Sequence, residues 1–137
     1  MVEQTINEVL KICKVKSNIA LTDFRVIKDI PTHHYGVYVI SEGSKVIYVG
    51  QGHIRDRLLS HWEKAYENLD QKKLPKGWRW LTENYETLKL NPLNWIVHYV
   101  ILEKPSKLTR VEGDLIDELQ PLANEETYQD HQQLLKG

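Results

Sequence analysis

The stretch Asn94 to Leu102, NWIVHYVIL, is apolar at odd and even positions alike, with His98 as its one polar interruption past the first residue. A strand with one wet face alternates apolar and polar residues. A run without alternation belongs in the middle of a sheet covered on both faces. The rest of the chain must then supply neighbouring strands and cover for two faces.

Flanking strands are visible upstream. Gly36 to Ile40 (GVYVI) and Lys45 to Val49 (KVIYV) are β-branched and aromatic in character, and Ser41-Glu42-Gly43-Ser44 joins them as a hairpin. Gly50-Gln51-Gly52 breaks the second strand. A helix follows from about His53 to Leu69, with Ile54, Leu58, Trp62, Ala65 and Leu69 at apolar positions. After a polar loop from Asp70 to Gly77, the spacing of Trp78, Leu81, Tyr85 and Leu88 predicts a second helix, stopped by Asn91-Pro92. Lys104-Pro105-Ser106 reads as a turn, and a third helix starts after Thr109 and stops before Pro121. At the N-terminus, Thr5 to Val15 reads as a short helix opened by a Thr5/Glu8 capping box and ended by Ser17-Asn18. Ile19 to Ile30 reads as an extended lead-in closed by Pro31, and the tail from Glu125 is polar and glutamine-rich.

This order of elements predicts an α/β sandwich on a three-stranded, mostly antiparallel sheet flanked by helices. The expected organisation is an N-terminal helix and lead-in over residues 1–32, a main domain over 33–128, and a polar tail over 129–137.

Composition narrows the function classes. The formal net charge is −1, so a protein that grips nucleic acid with its whole surface is excluded, and any such contact must come from a local patch. The lone Cys13 excludes an internal disulfide framework and a cysteine zinc site. Residues 1–15 lack the pattern of a signal peptide, and no apolar run is long enough for a membrane span. The expectation is a cytoplasmic protein with no membrane partner.

Three constellations carry chemistry. Tyr38 and Tyr48 sit on the two hairpin strands. A three-residue loop, Glu42-Gly43-Ser44, pairs them directly on one face, whereas a two-residue loop, Glu42-Gly43, puts them on opposite faces. Arg57 and His61 are i and i+4 on the first long helix. At ~100° per residue, His61 falls inside the apolar arc and Arg57 at its edge. Glu112 fits a capping box with Thr109, yet it lies within the apolar arc of Leu108, Val111, Leu115, Ile116 and Leu119. A carboxylate aimed inward wants a cation, and a hard divalent metal prefers such oxygen ligands. Gly113 beside it leaves room for a close approach.

With these residues in hand, the chain resembles the GIY-YIG endonuclease family. Gly36-Val37-Tyr38 stands at the first triplet and Tyr48-Val49-Gly50 at the second, each with valine for isoleucine. Arg57, in Ile54-Arg55-Asp56-Arg57-Leu58, stands at the helical arginine; Arg55 is the competing assignment but points away from the apolar arc. His61 matches a position that is histidine or tyrosine in the family, Glu112 the metal-binding glutamate, and Asn124 in Leu122-Ala123-Asn124 the asparagine after the third helix. The likeness spans roughly Tyr35 to Tyr128. It departs at the Gln51-Gly52 link and over an insert-like stretch from Gln71 to Leu90, which bear on substrate preference more than on chemistry.

The resemblance implies a metal-dependent DNA endonuclease with one magnesium or manganese ion held by Glu112. It implies Tyr38 as general base, assisted by His61, with Arg57 on the scissile phosphate, Tyr48 positioning phosphate or water, and Asn124 bracing the site. Arg57 and the metal are expected to favour the phenolate form of Tyr38. DNA is the expected partner, with RNA also open. Lys72, Lys73, Lys76 and Arg79 are candidate DNA contacts, with Trp78 and Trp80 beside them either stacking on bases or, as the favoured reading, belonging to a buried helix. The competing expectation is a catalytically silent domain that binds DNA or a protein partner.

Overall fold

A computed structural model of the chain describes residues 4–6, 8, 16–67, 70–102 and 107–136. Four strands, β1 (Lys16–Ala20), β2 (Tyr35–Glu42), β3 (Lys45–His53) and β4 (Ile96–Ile101), form one sheet in the order β1-β4-β2-β3. Every neighbouring pair is antiparallel. The run without alternation becomes β4, flanked by a strand on each side and buried from Val97 to Val100.

Five α-helices complete the described fold: α1 (Phe24–Lys28), α2 (Ile54–Tyr66), α3 (Lys76–Glu83), α4 (Leu108–Leu119) and α5 (Tyr128–Lys136). On one sheet face, Tyr38, Ile40, Ile47 and Val97 pack with Ile27, Leu58, Trp78 and Trp95 in the larger core cluster. On the other face, Val37, Val39, Val49 and Val100 pack with Leu108, Leu115, Ile116 and Ile6. Each such side chain stabilises the fold by about 1.5–3 kcal/mol when fully buried. Neither face could be left wet.

The structure departs from the sequence reading in several places. A fourth strand exists: β1 pairs with β4 in the stretch read as a helix end and lead-in, with an irregular register between Lys16 and Ile19. Within the lead-in, α1 makes a short helix whose N-cap Asp23 side chain accepts a hydrogen bond from Val26 N at 3.2 Å. The helix expected to reach Leu88 stops at Glu83, where the Asn84 side chain donates to the Trp80 carbonyl at 2.8 Å and turns follow. Most of the expected helix from Thr5 to Val15 and the Lys104-Pro105-Ser106 turn lie outside the described residues. Residues 4–6 and 8 are helical.

The hairpin register is neither of the two alternatives. Glu42 pairs with Lys45 across a Gly43-Ser44 turn, and Gly43 takes φ +57°, as a glycine-first hairpin turn requires. That frame alone would set Tyr48 on the face opposite Tyr38. A β-bulge corrects it: Ser41 pairs with Val46 but Ile40 pairs with Tyr48, leaving Ile47 as the extra residue. Ile47 and Tyr48 consequently both turn to the larger core, the face that carries Tyr38.

Candidate active site

Gly50-Gln51-Gly52 does not break the strand as expected: β3 runs on to His53, paired with β2 throughout, and its two glycines make space for side chains. Gly50 pairs across the sheet with Tyr38, and a Cβ there would lie 2.3 Å from the Tyr38 hydroxyl oxygen. Gly52 has φ +133°, and a Cβ there would press on Arg57 Nε at 2.9 Å. The end of β3 thereby lets a phenol lie across it and a guanidinium lie against it.

Tyr38 is 2% exposed, and its hydroxyl oxygen is 2.6 Å from His61 Nε2. His61 is buried as well, stacked at 5.2 Å on Trp78 and touching the Tyr48 ring at 4.7 Å. Tyr48 lies 6.2 Å from Tyr38, nearly parallel to it. Burial, with the cations Lys64 and Arg57 nearby, holds the His61 imidazole well below its usual value, so it is neutral near pH 7. Burial also dominates Tyr38. Together with Tyr48 it pushes the phenol well above its usual value; Arg57 pulls downward and Glu112 pushes further up. Arg57 does pull toward the phenolate, as expected, but desolvation outweighs that pull and keeps the phenol protonated.

Arg57 is exposed, and its charge reaches Tyr38, Tyr48, His61 and Glu112. The described residues offer it no ion pair; the one they form is Arg55 with Asp56 at 3.4 Å. That pair turns Arg55 to other use and leaves Arg57 as the arginine of the site.

Glu112 approaches from the opposite layer. Helix α4 begins at Leu108 with Lys107 as its cap, and no side chain caps it. The capping box with Thr109 does not form; the Thr109 hydroxyl instead accepts from Gln51 Nε2 at 3.3 Å. Glu112 is left to line a cleft of about 140 Å³ with Tyr48, Lys64, Trp78, Asn124 and Glu126 among its walls. Burial and the neighbouring Glu126 raise its carboxyl above the usual range, while the Gln51 amide and Arg57 pull it down. Gly113 faces open space.

Asn124 is a clamp. Its Oδ1 accepts from Val49 N at 2.9 Å and its Nδ2 donates to the Val49 carbonyl at 2.7 Å. With Leu122 N and Ala123 N donating to the Val46 and Ile47 carbonyls, residues 122–124 run along β3 as a substitute strand. The side chain of Asn124 copies what a neighbouring backbone would do, and it fixes the cleft wall next to Tyr48.

The proposed DNA contacts divide. Lys72, Lys73 and Lys76 are exposed and flank Pro75, which lines the cleft. Arg79 is committed elsewhere: its guanidinium donates to the carbonyls of Gln71, Lys72 and Leu74, clasping its own loop. Trp78 and Trp80 are buried, 1% and 7% exposed, so they are not stacking platforms in this arrangement.

Three contributors carried no role in the sequence reading, Lys64, Gln51 and Glu126, and Trp78, read there with the basic cluster, is the floor under His61. Lys64 carries a legible signal, being seven residues after Arg57 and three after His61 on one helical stripe. Glu126 carries none, since its place depends on the Asn124 clamp.

Among the described residues, no three His, Cys, Asp or Glu side chains group to hold a metal. The donor chemistry still fits a magnesium-like ion. Glu112 is a half-buried carboxylate that forms no ion pair among the described residues, with a second acid beside it, and such ions take one or two carboxylates and fill the rest with water and phosphate oxygens. No described helix is long and apolar enough to cross a membrane. No protein-family model, curated protein or solved structure matches this chain.

Proposed function

We propose that the chain is a metal-dependent endonuclease of the GIY-YIG type that hydrolyses phosphodiester bonds in DNA. The observation that carries this reading is the Tyr38–His61 contact at 2.6 Å in a site where Arg57 and Glu112 both act on the same phenol.

A phosphodiester resists hydrolysis because it is anionic and its leaving alkoxide is poor, so the site must activate water and neutralise charge. A neutral His61 accepts the Tyr38 proton through Nε2 as Tyr38 takes one from water. The phenol then never has to exist as a buried phenolate. The water oxygen bonds to phosphorus, the bond to the leaving oxygen breaks, and the proton rests on His61. Arg57 and Lys64 make that imidazolium unfavourable, which drives the proton onward to the departing alkoxide or solvent. Arg57 holds the phosphate and stabilises its growing charge. Glu112 would hold a magnesium or manganese ion, which would supply charge neutralisation for the reaction. Tyr48, on the cleft wall, positions phosphate or water, and Asn124 keeps β3 in place.

One observation favours a second reading. Tyr38 is almost sealed and lies beneath the cleft, so water must reach it past Tyr48. A silent domain that binds DNA or a protein partner would leave Tyr38 in such a place. Incubation with magnesium and a panel of labelled single-stranded, duplex and branched oligonucleotides separates the two. Cleavage of any member is the expected result. Salt-dependent binding to the panel with every strand left intact would support the silent domain instead.

A further inference from the structure

Helix α2 presents Arg57, His61 and Lys64 at i, i+4 and i+7, one stripe facing the site. Lys64 is half-buried and lines the cleft beside Tyr48 and Glu112. Its ammonium lies 5.7 Å from the centroid of Trp78. Trp78 is itself held firmly, 1% exposed and packed on His61 and Trp95, with Gly77 pressed against the Ala123 backbone.

Three glutamates, Glu112, Glu125 and Glu126, line the same cleft, yet none comes within ion-pair distance of Lys64. A partly desolvated ammonium that forms no ion pair among the described residues costs stability, and one cation–π contact offsets only part of that cost. The cleft thus has a cationic wall on α2 and an acidic wall on α4 and residues 125–126, with a gap between them. An anion that bridges a basic side chain and a carboxylate-held cation has the chemistry of a phosphodiester.

We propose that Lys64 is a second phosphate-binding cation of this site, taking a backbone phosphate next to the one that Arg57 holds. This rests on the nuclease reading. It assigns Lys64 a direct contact with substrate, and it makes the Trp78 face the support that holds the ammonium in place before substrate arrives. A pre-positioned lysine loses less rotamer entropy on binding than a solvated one.

The test is fluorescence anisotropy with a short labelled DNA, single-stranded and duplex, in calcium, over salt from about 50 to about 200 mM. Lys64→Gln and Lys64→Met are compared with wild type; methionine keeps most of the apolar stem over Trp78. Both variants are expected to lower the slope of log affinity against log salt by about 0.9 for duplex, which weakens binding roughly eightfold near 0.1 M salt. Lys64→Arg should restore the slope, and thermal melts of Lys64→Gln and Lys64→Met should equal or exceed wild type. Unchanged slopes in folded Lys64→Gln and Lys64→Met, beside a wild type that binds and cleaves, overturn the Lys64 assignment alone. A wild type that neither binds nor cleaves either DNA overturns the nuclease reading and this one with it.

Discussion

Tyr38 and His61 depend on each other. The contact seals two polar groups that would otherwise lack partners inside the core. Tyr38→Phe leaves His61 Nε2 buried and unpaired, which costs about 1–3 kcal/mol. Urea denaturation should show that loss, and cleavage should fall to background; full activity in the phenylalanine variant would reduce Tyr38 to a packing residue. Glu112 works in the opposite sense. Its folded carboxyl sits above the usual range, so ionisation is penalised in the fold and stability is lost as pH rises through that value. Glu112→Gln removes the penalty. Its melting temperature should equal or exceed that of wild type at pH 7, and the gap should close as pH falls and the wild-type carboxyl protonates. A variant less stable than wild type at pH 7 would mean that the carboxylate is a structural group.

The elements show what could be read from the letters. β2, β3, β4, α2 and α4 were legible because each carries a long, regular pattern, and they hold Tyr38, Tyr48, Arg57, His61 and Glu112. β1 was not: Lys16-Ser17-Asn18 has no apolar alternation, and an edge strand is specified by its partner β4 more than by itself. The five residues of α1 are too few to show a helical period. The bulge at Ile47 was hidden for another reason. It is chosen by the need to turn both Ile47 and Tyr48 into one core, which is a tertiary demand. The short contact between residues 122–124 and β3 was equally invisible, though Asn124 itself stood out. Asn124→Asp keeps an acceptor for Val49 N but sets a carboxylate against the Val49 carbonyl. Loss of about 1–3 kcal/mol is expected, with cleavage falling alongside it. If denaturation and cleavage both match wild type, the clamp does not govern the site.

At the scale of the whole molecule, the proposed nuclease carries a net charge of −1. On that reading affinity would be concentrated at the cleft, where Lys64 stands against Glu112, Glu125 and Glu126 and exposed Lys76 follows the lining residue Pro75. Both layers of the sandwich are needed. The phenol and imidazole come from one face of the sheet and the acid from the other, and they meet where β3 narrows at Gly50 and Gly52. On the proposed reading, a single site per chain would nick one strand per encounter. The most direct measurement is nicking of supercoiled plasmid by wild type and by Glu112→Gln, each with magnesium and with chelator. Wild type should convert the plasmid to open circles only with magnesium, and the folded glutamine variant should leave it supercoiled in both conditions. An intact plasmid with wild type, or equal nicking by Glu112→Gln, would contradict the assignment of this cleft as a metal-dependent nuclease site.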